Sequence, residues 1–439
     1  MRKTAILGAG ESGVGAAILA KQLGHQVWVS DRGEISDRFR SVLTEYQIPF
    51  ETGVHTDAQF FDADVIVKSP GIPDTAPLVQ RLKHAGKSVI SEIEFAFRHA
   101  QGTVVAITGS NGKTTTTSLI HHVMVTAGKD AALVGNIGRS FAWQIADQPA
   151  AYYVLEVSSF QLDDIEQFQP DVALLLNITP DHLDRYGGSI KRYGAAKMRI
   201  SENQTADQTL IVYGDDAEIA DQMQQRKGDS LVKRFGFEQT HGEDAWTEGH
   251  WLKSRKGTEL DFSKMKVLGP HNQLNALAAM LALEAVGLSQ QEMEAGFYGF
   301  QPIEHRLEPV SEVNGVLYIN DSKATNVDAA KHALASMDRP TVWMVGGVDK
   351  GNDYTEILDL VEEHVKLIIV VGEGSEKISH TFSKEWIHVK SMQEAVRVAQ
   401  ERSEPGDAVL LSPACASFDL FRNYMDRGNQ FRDAVLSLQ

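Results

Sequence analysis

The sequence contains one cysteine, Cys415, in 439 residues. A single thiol excludes an internal disulfide and any zinc site built on cysteine pairs, and it fits a reducing compartment. Long apolar runs are also missing, since stretches such as residues 367–371 fall far short of the ~18 residues of a membrane helix. We therefore expect a cytoplasmic protein that contacts no membrane.

The sequence also lacks an excess of positive charge. It has 42 basic and 59 acidic residues and a net charge of −17. A field of this sign repels nucleic acid, so anionic ligands must be held by local sites. Internal repeats and low-complexity tracts are absent, and the length predicts two or three domains.

The most informative stretch is residues 103–117. An apolar run at 104–107 predicts a buried parallel strand, and Gly109-Ser-Asn-Gly-Lys-Thr114 precedes an amphipathic helix. This order is typical of a phosphate-binding loop, in which Lys113 reaches the β/γ-phosphates and the Thr114 hydroxyl binds Mg²⁺. The loop is tighter than usual, because the first glycine of the common pattern would fall at Ile107. The alternative is a glycine turn that serves only packing.

A second glycine loop lies near the N-terminus. Gly8-Ala-Gly-Glu-Ser-Gly13 follows a predicted strand at 4–7, and Asp31 comes 18 residues after Gly13. This spacing indicates a Rossmann-type nucleotide site, although a turn needed only for packing is the alternative. Glu11 is unfavourable beside a diphosphate, so we expect it to point away. A predicted strand at 64–68 runs into a further turn, Ser69-Pro-Gly71.

One residue of the middle region, Glu156, has a type that suits a metal site in this context. Glu156 lies on a predicted strand at 152–157, where an acid near a phosphate loop can hold Mg²⁺. A lone acid on a strand can instead be an edge residue. Lys197 lies in a predicted helix at 190–200, and a single helical lysine is usually a solvated charge.

A polar cluster follows the predicted strand at 171–177. Asp181, His182 and Asp184 stand where a parallel strand ends, which favours a ligand site. The alternative is a helix capped by Asp181 with His182 on the surface. The residues themselves do not decide between these two interpretations.

The last third alternates strands with helical stretches after a polar linker at 300–308. This alternation predicts a doubly wound parallel sheet, with its ligand crevice at the carboxyl ends of the strands. The glycines of 346–351 fit a second dinucleotide site, whereas Asp321, Lys323 and Lys350 suggest a pocket for a small charged substrate. Cys415 has no histidine near it in sequence, so we predict a packed residue and not a nucleophile.

Together these parts predict an α/β protein of three domains that joins two substrates with ATP. The domains are a Rossmann-like domain at 1–95, a central P-loop-type ATPase domain at 96–298 and a Rossmann-like domain at 299–439. A carboxylate does not accept an amine unaided, whereas its acyl phosphate does. Phosphoryl transfer of this kind needs Mg²⁺ and cationic groups around the phosphate.

The sequence resembles the Mur ligase family in all three predicted domains. The motifs shared with sister ligases and folylpolyglutamate synthases are the phosphate loop and Glu304-His-Arg306. Ser158-Ser-Phe-Gln-Leu162 and the Gly346 loop indicate the member that adds D-glutamate. The remaining motifs are Gly135-Asn-Ile-Gly138, residues 177–186, Gly269–Asn275, Asn320–Asn326 and Ser412–Ser417.

The resemblance implies a role for individual residues. It implies that UDP lies in the first domain and that one Mg²⁺ is held by Thr114 and Glu156. It also implies that a second Mg²⁺ is held by His182 and a carbamylated Lys197. The catalytic residues that it implies are Lys113, His182 and Lys197. The UDP-substrate set is Ser12, Gly13, Asp31, Arg32, Ser69, Gly71 and Asn136. The ATP set is Gly109, Ser110, Asn111, Gly112, Lys113, Thr114, Thr115, Asn275, Arg306 and Asp321. The D-glutamate set is Lys323, Thr325, Lys350, Ser417 and Tyr424.

The activity implied is an ATP-dependent amide ligase of peptidoglycan precursor synthesis, acting on UDP-N-acetylmuramoyl-L-alanine and D-glutamate. We expect a monomer with ATP and two Mg²⁺ ions and without nucleic-acid partners. An NAD-dependent oxidoreductase built on the two glycine loops is an alternative, but it leaves Lys113 and Thr114 unexplained. A non-enzymatic nucleotide switch is a third possibility.

Overall fold

The computed structural model describes residues 1–226, 228–240, 242–267, 269–349, 352–372 and 375–438. The chain divides into two compact units. The first contains Met1–Ser263 and Leu274–Tyr298, and the second contains Lys264–Gln273 and Gly299–Gln439.

The first sheet is parallel and lies at the start of the first unit. Its strands are β1 Lys3–Leu7, β2 Gln26–Asp31, β3 Phe50–Thr52, β4 Val65–Lys68 and β5 Val89–Ser91, and its helices are α1 Glu11–Gln22, α2 Asp37–Glu45, α3 Asp57–Asp62, α4 Pro77–His84 and α5 Glu92–Phe97. The strand order is β3-β2-β1-β4-β5. Because β1 is central and order reverses beside it, the loop after β1 lies at the switch point where nucleotides bind in such sheets.

The second sheet has nine strands. The strands are β6 Thr103–Thr108, β7 Ala131–Gly135, β8 Tyr152–Glu156, β9 Val172–Leu175, β10 Thr209–Tyr213, β11 Leu231–Phe235, β12 Ala245–Glu248, β13 Trp251–Ser254 and β14 Glu259–Asp261. The helices are α6 Lys113–Thr126, α7 Phe141–Asp147, α8 Ser159–Leu162, α9 Ile190–Met198, α10 Ala217–Gln224, α11 Pro270–Ala285 and α12 Gln290–Gly299, with short 3₁₀ turns at Leu183–Tyr186, Arg199–Ser201 and Phe262–Lys264.

The order of this sheet places the predicted phosphate loop after an interior strand. The strands run β14-β13-β12-β11-β10-β9-β6-β8-β7, so β6 lies between β9 and β8. The last three strands pair antiparallel, with Trp246 opposite Lys253 and Leu252 opposite Leu260. This antiparallel extension was not predicted from the sequence.

The third sheet belongs to the second unit. Its strands are β15 Glu308–Val313, β16 Val316–Asn320, β17 Thr341–Val345, β18 Val365–Val371, β19 Trp386–Val389 and β20 Ala408–Leu411. Its helices are α13 Val327–Leu334, α14 Leu358–His364, α15 Ser375–Thr381, α16 Met392–Arg402 and α17 Tyr424–Leu436, with a 3₁₀ turn at Tyr354–Ile357. The order is β15-β16-β20-β17-β18-β19. The sheet is parallel as predicted, except for β15, which pairs antiparallel with β16 at the edge.

Buried apolar residues cover both faces of the first and third sheets. One core in the first unit is continuous from Ile6 through Leu155 to Ile219 and so joins the first sheet to the second. The predicted domain boundaries at 95 and 298 remain predictions, and residue 95 lies inside α5. Among the described residues, no helix combines the length and apolarity needed to cross a membrane.

A buried carboxylate connects α5 to the segment before β9. Glu94 is fully buried, and its carboxylate accepts hydrogen bonds from the backbone N–H groups of Glu166, Gln167 and Phe168 at 2.8–3.0 Å. Arg98 donates to it at 2.7 Å. Several donors to one carboxylate are charge-assisted bonds, which are stronger than neutral ones.

We expect Glu94→Gln to lower the free energy of unfolding by about 2 kcal/mol, because a neutral amide accepts these bonds less well and adds a buried donor. The measurement is the melting temperature, which should fall by several degrees. Glu166→Gln is the matched control, since that exposed side chain pairs with the same Arg98. Equal melting temperatures for the two variants would contradict this role of Glu94.

Candidate active site

The loop between β6 and α6 has the geometry of a phosphate-binding loop. Gly112 precedes the helix in the left-handed conformation with φ of +81°, and a Cβ there would lie 2.4 Å from Oδ1 of Asn275. A larger residue is therefore excluded at this position. The loop must approach α11 closely, which places Asn275, a predicted ATP residue, beside it. Ser110 and Asn111 belong to this loop. Thr114 and Thr115 are buried in the first turn of α6.

The end of β9 braces this loop. Asn177 accepts from the Asn111 N–H through Oδ1 at 2.8 Å and donates back to the Asn111 carbonyl at 3.1 Å. The Ser110 hydroxyl donates to the Thr179 carbonyl at 2.9 Å and accepts from the Thr179 N–H at 2.9 Å. These bonds fix the loop before any ligand arrives, and such preorganisation lowers the cost of binding.

Two lysines donate to one carbonyl oxygen of the loop. Lys113 Nζ lies 2.8 Å from the oxygen of Gly109 and 2.8 Å from that of Ser110. Lys197 Nζ, reaching in from α9, also lies 2.8 Å from the Gly109 oxygen. The predicted catalytic lysines thus meet at the loop, although 84 positions separate 113 from 197.

Lys197 is not the solvated helix charge of the alternative interpretation. It is 1% exposed, and its ammonium lies over the Tyr193 ring, 4.4 Å from the centroid. Burial and the charge of Lys113 hold its pKa well below the usual range, although Asp181 and Glu156 oppose this shift. This shift favours the neutral amine, which is the form a nucleophilic amine must take.

Glu156 lies at the end of β8 and is 1% exposed. Because β8 pairs with β6 on one side and β7 on the other, the edge-residue alternative is wrong. Its Oε1 accepts from Asn136 Nδ2 at 2.8 Å. Its Oε2 is buried and has no hydrogen-bond partner among the described residues.

The cluster after β9 is only partly as predicted. His182 is a left-handed residue before the 3₁₀ turn Leu183–Tyr186, with φ of +50°. The Asp181 carboxylate accepts the His182 N–H at 3.0 Å and caps no helix in that turn. The His182 ring is half exposed and contacts the Phe160 ring edge at 5.2 Å between centroids. The side chain of Asp184 lies outside the described part of the structure.

These residues fit a divalent cation. A buried carboxylate oxygen without a partner is costly unless something positive is bound there, and Glu156 supplies one. Among the described residues, no group of three histidine, cysteine or acidic side chains is arranged around a common point. A cation at this site would therefore need other oxygens, of which the Thr114 hydroxyl is the predicted one.

Asp31 also has a structural role at the N-terminal glycine loop, and its predicted contact with the nucleotide stays a prediction. The Asp31 carboxylate accepts from the Ala9 N–H at 2.7 Å and the Gly33 N–H at 2.8 Å. It shapes the loop and the turn after β2. Ser69 Oγ is buried without a hydrogen-bond partner among the described residues, and a Cβ on Gly8 would lie 2.5 Å from it. The two predicted UDP loops therefore touch.

Other predicted UDP residues lie around this point. Ser12 and Gly13 are in the first turn of α1, where N–H groups and the helix dipole favour an anion. Glu11 begins that helix and pairs with Arg38 at 3.3 Å. Arg32 and Gly71 are exposed, next to Asp31 and Ser69.

The second unit brings several predicted ATP and D-glutamate residues onto one set of loops. Asp321 follows β16 and is buried; it accepts from the Ser412 hydroxyl at 2.9 Å and the Leu307 N–H at 3.2 Å. Burial raises its pKa to about 7. Lys323 lies over the Tyr424 ring at 5.0 Å from the centroid. Thr325 is partly exposed on the same loop, Ser417 is buried after β20, and Arg306 is next to Leu307.

In the glycine loop after β17, close backbone packing explains why one position is glycine. A Cβ on Gly347 would lie 2.2 Å from the carbonyl oxygen of Ala416, and Val348 pairs with Ala416. The loop is thus held against the segment after β20, which disfavours a second dinucleotide site. Lys350 lies outside the described residues.

Several residues that organise these sites were not predicted. Arg427 is 2% exposed and donates to the Ser322 and Cys415 carbonyls at 2.8 and 3.1 Å, which ties two predicted ligand loops together. Tyr193 supports Lys197, and Asn177 braces the phosphate loop. Their types and spacing carry no signal, because the contacts depend on elements far apart in sequence.

Cys415 is fully buried and lies 3.0 Å from the Tyr354 hydroxyl. Burial raises the pKa of its thiol to about 11. Since the thiolate is the reactive form and a higher pKa depletes it, we expect labelling by a disulfide reagent at pH 8 to be about a hundredfold slower than for a free thiol. Unfolding in denaturant should expose one reactive thiol. Fast labelling of the folded protein would contradict the packed role.

Family comparisons cover most of the chain. The Mur ligase middle domain matches residues 107–283, the Mur ligase glutamate ligase domain matches 305–415, and the Mur ligase MurD-like N-terminal domain matches 2–91. Together with the three sheets, these matches confirm the predicted three-domain α/β fold.

Curated relatives match over the full length. One from Christiangramia forsetii is 47% identical over 100% of both chains, and one from Bacteroides fragilis is 44% identical over 100% of both. Both are named UDP-N-acetylmuramoylalanine–D-glutamate ligase.

Among solved structures, a pseudomurein peptide ligase type C from Methanothermus fervidus matches with a TM-score of 0.64 at 19% identity, covering 100% of both chains. A UDP-N-acetylmuramate–alanine ligase from Thermotoga maritima matches with a TM-score of 0.61 at 19% identity and the same coverage. At these identities the solved structures support the fold alone.

Proposed function

Because the chain belongs to the Mur ligase family, we propose that it joins D-glutamate to UDP-N-acetylmuramoyl-L-alanine at the expense of ATP, in peptidoglycan precursor synthesis. The observation that carries the proposal is the phosphate loop with two lysines at the Gly109 carbonyl and a buried, incompletely paired Glu156 beside it. The choice of substrates is supported by the names of relatives that match over the whole chain.

The proposed reaction has two steps. An oxygen of the acceptor carboxylate attacks the γ-phosphorus of ATP, and ADP leaves with the electron pair of the broken P–O bond. The neutral amine of D-glutamate then attacks the acyl carbon, and inorganic phosphate leaves as the amine loses its proton. This route converts a poor leaving group into a good one.

The chain's own groups supply the charge that phosphoryl transfer needs. Lys113 releases its two loop carbonyls and donates to the β/γ-phosphates, while the N–H groups of residues 109–115 and the N-terminus of α6 bind the remaining oxygens. Asn275, packed against Gly112, lines the same loop. Arg306 and Asp321 are the proposed ATP contacts from the second unit.

Thr114, Glu156, His182 and Lys197 are the proposed ligands of two Mg²⁺ ions. When bound, the metal offsets negative charge on the phosphate and acceptor oxygens. The unpartnered Oε2 of Glu156 supports the first site. For the second, Lys197 must first become an anion, because an ammonium cannot bind a cation.

Carbamylation provides that change. The neutral Nζ of Lys197 adds to the carbon of CO₂ and loses a proton, which gives a carbamate with two oxygens. Full burial and the nearby Lys113 favour the neutral amine of Lys197. After carbamylation, the positive charge of Lys113 favours the negative charge of the carbamate. The repulsion between the lysines becomes an attraction.

The remaining assignments concern the two substrates. The proposed UDP contacts are Ser12, Gly13, Asp31, Arg32, Ser69, Gly71 and, near the muramoyl group, Asn136. For D-glutamate they are Lys323, Thr325, Lys350, Ser417 and Tyr424, where cations and hydroxyls suit two carboxylates. The close approach of Lys323 to Tyr424 supports a common pocket. We further propose that the enzyme acts as a monomer in the cytoplasm, and its buried free cysteine fits that reducing compartment.

We expect phosphate release from MgATP to require the UDP-linked acceptor and D-glutamate together. The test supplies the acceptor with D-glutamate, L-glutamate, L-alanine or a diamino acid and identifies the product by mass. Strong preference for D-glutamate is predicted, because Lys323 and its neighbours suit two carboxylates. Equal turnover with L-alanine or the diamino acid would assign the chain to a different ligase activity.

Lys113→Ala should reduce kcat by roughly 10²–10³, as removal of a preorganised electrostatic donor does elsewhere. Lys129→Ala is the matched control, because that lysine follows the same helix and pairs with Glu292 on the surface. Both variants should melt near the wild-type temperature. Near-normal phosphate release by Lys113→Ala at saturating MgATP would remove the loop from the reaction.

A further inference from the structure

The turn after β4 carries Ser69 and Gly71, two of the proposed UDP contacts, and it is held at two backbone carbonyls. The Ile72 N–H closes the turn onto the Ser69 carbonyl at 3.1 Å. Lys68 Nζ donates to the Ile72 carbonyl at 2.7 Å, and Arg185 Nη1 donates to the Pro70 carbonyl at 3.0 Å. The two cations therefore fix the path of the turn from both sides.

Two adjacent carboxylates orient these cations. Asp164 is buried and pairs with Lys68 at 2.8 Å, and Asp163 lies 3.7 Å from Arg185 Nη2. Both carboxylates follow α8, whereas the turn belongs to the first sheet. The turn that faces the proposed uridine site is therefore shaped by Asp163, Asp164 and Arg185, which come from segments between strands of the second sheet.

Arg185 is connected to one residue of the proposed metal site, His182, through an aromatic ring. Its guanidinium lies over the Phe160 ring at 4.1 Å from the centroid, and the edge of that ring contacts His182. The arginine side chain is 17% exposed, so its contacts leave it little freedom. A planar guanidinium can stack on an aromatic ring and donate in its own plane at once, which an ammonium cannot do.

From these contacts we propose that Arg185 is a positioning residue for acceptor binding: it holds the turn Ser69–Ile72 in the conformation that receives the UDP moiety, and it sets that turn against Phe160 and His182. The inference rests on the proposed function, since it concerns the affinity for the UDP-linked substrate.

The alternative is a purely structural arginine. Such a residue would alter stability and lower kcat for all substrates together. A positioning residue at the acceptor turn acts selectively, because the turn follows β4 of the first sheet whereas the phosphate loop follows β6 of the second. Comparing the change in KM for the acceptor with the change in KM for ATP therefore distinguishes the two roles.

The test measures steady-state kinetics of Arg185→Ala and Arg185→Lys with acceptor and ATP varied in turn. We expect Arg185→Ala to raise the KM for the UDP-linked acceptor roughly tenfold, as loss of a charged hydrogen bond does, while the KM for ATP changes less than twofold. Arg185→Lys should recover part of the loss, since lysine can donate to Pro70 but cannot stack in the same way. Arg192→Ala is the control, because that exposed arginine lies on the neighbouring helix α9 and should leave both constants unchanged.

A double-mutant cycle keeps the proposal testable if Arg185→Ala does not fold. Phe160→Leu removes the ring beneath the guanidinium, and its effect on the acceptor KM should be smaller in the Arg185→Lys background than in the wild type. Additive effects, or equal changes in the KM for ATP and acceptor, would overturn the proposal. Inactivity of the wild-type protein with D-glutamate and the acceptor would instead refute the proposed function.

Discussion

Two lysine side chains donate to the carbonyl oxygen of Gly109, and the site depends on how a positive charge on both lysines at once is avoided. Lys113 and Lys197 each lie 2.8 Å from that oxygen. Like charges this close in a buried setting are unfavourable. A polyphosphate drawn to Lys113 and a carbamate on Lys197 would each remove part of the repulsion. The arrangement of the two lysines thus suits anions.

The surrounding structure makes this juxtaposition possible. The phosphate loop follows a central strand, so both neighbouring strands end close to it. On one side Asn177 and Thr179 fix the loop backbone, and on the other Glu156 offers a carboxylate oxygen without a partner in the described structure. The tight Gly112 turn brings Asn275 close. The net charge of −17 makes such local cationic sites necessary for anionic substrates.

The sequence predicted these features where chemistry and local geometry coincide. Apolar β-branched runs followed by glycine and Lys-Thr predicted the strand, loop and helix at Lys113, and the Gly8 loop was found in the same way. The burial of Lys197 was not predictable from the residues alone, because a lysine in a helix looks the same in sequence whether it faces solvent or a loop. Only the resemblance to a family indicated its role.

Other features depend on contacts between distant segments. The Asp31 carboxylate accepts hydrogen bonds from the Ala9 and Gly33 N–H groups, and the spacing of the glycine motif does not predict these contacts. Arg185 reaches Pro70 across 115 positions, and no local pattern predicts such a bond. The antiparallel strands β12–β14 were missed because their short segments carry weak alternation and no chemistry.

The most direct test of this account is the chemical state of Lys197, measured by ¹³C NMR on protein equilibrated with ¹³C-bicarbonate. The account predicts one carbamate resonance in the wild-type protein, which disappears in Lys197→Arg while the fold is retained. A fully active wild-type enzyme without that resonance under the assay's bicarbonate concentration would contradict it.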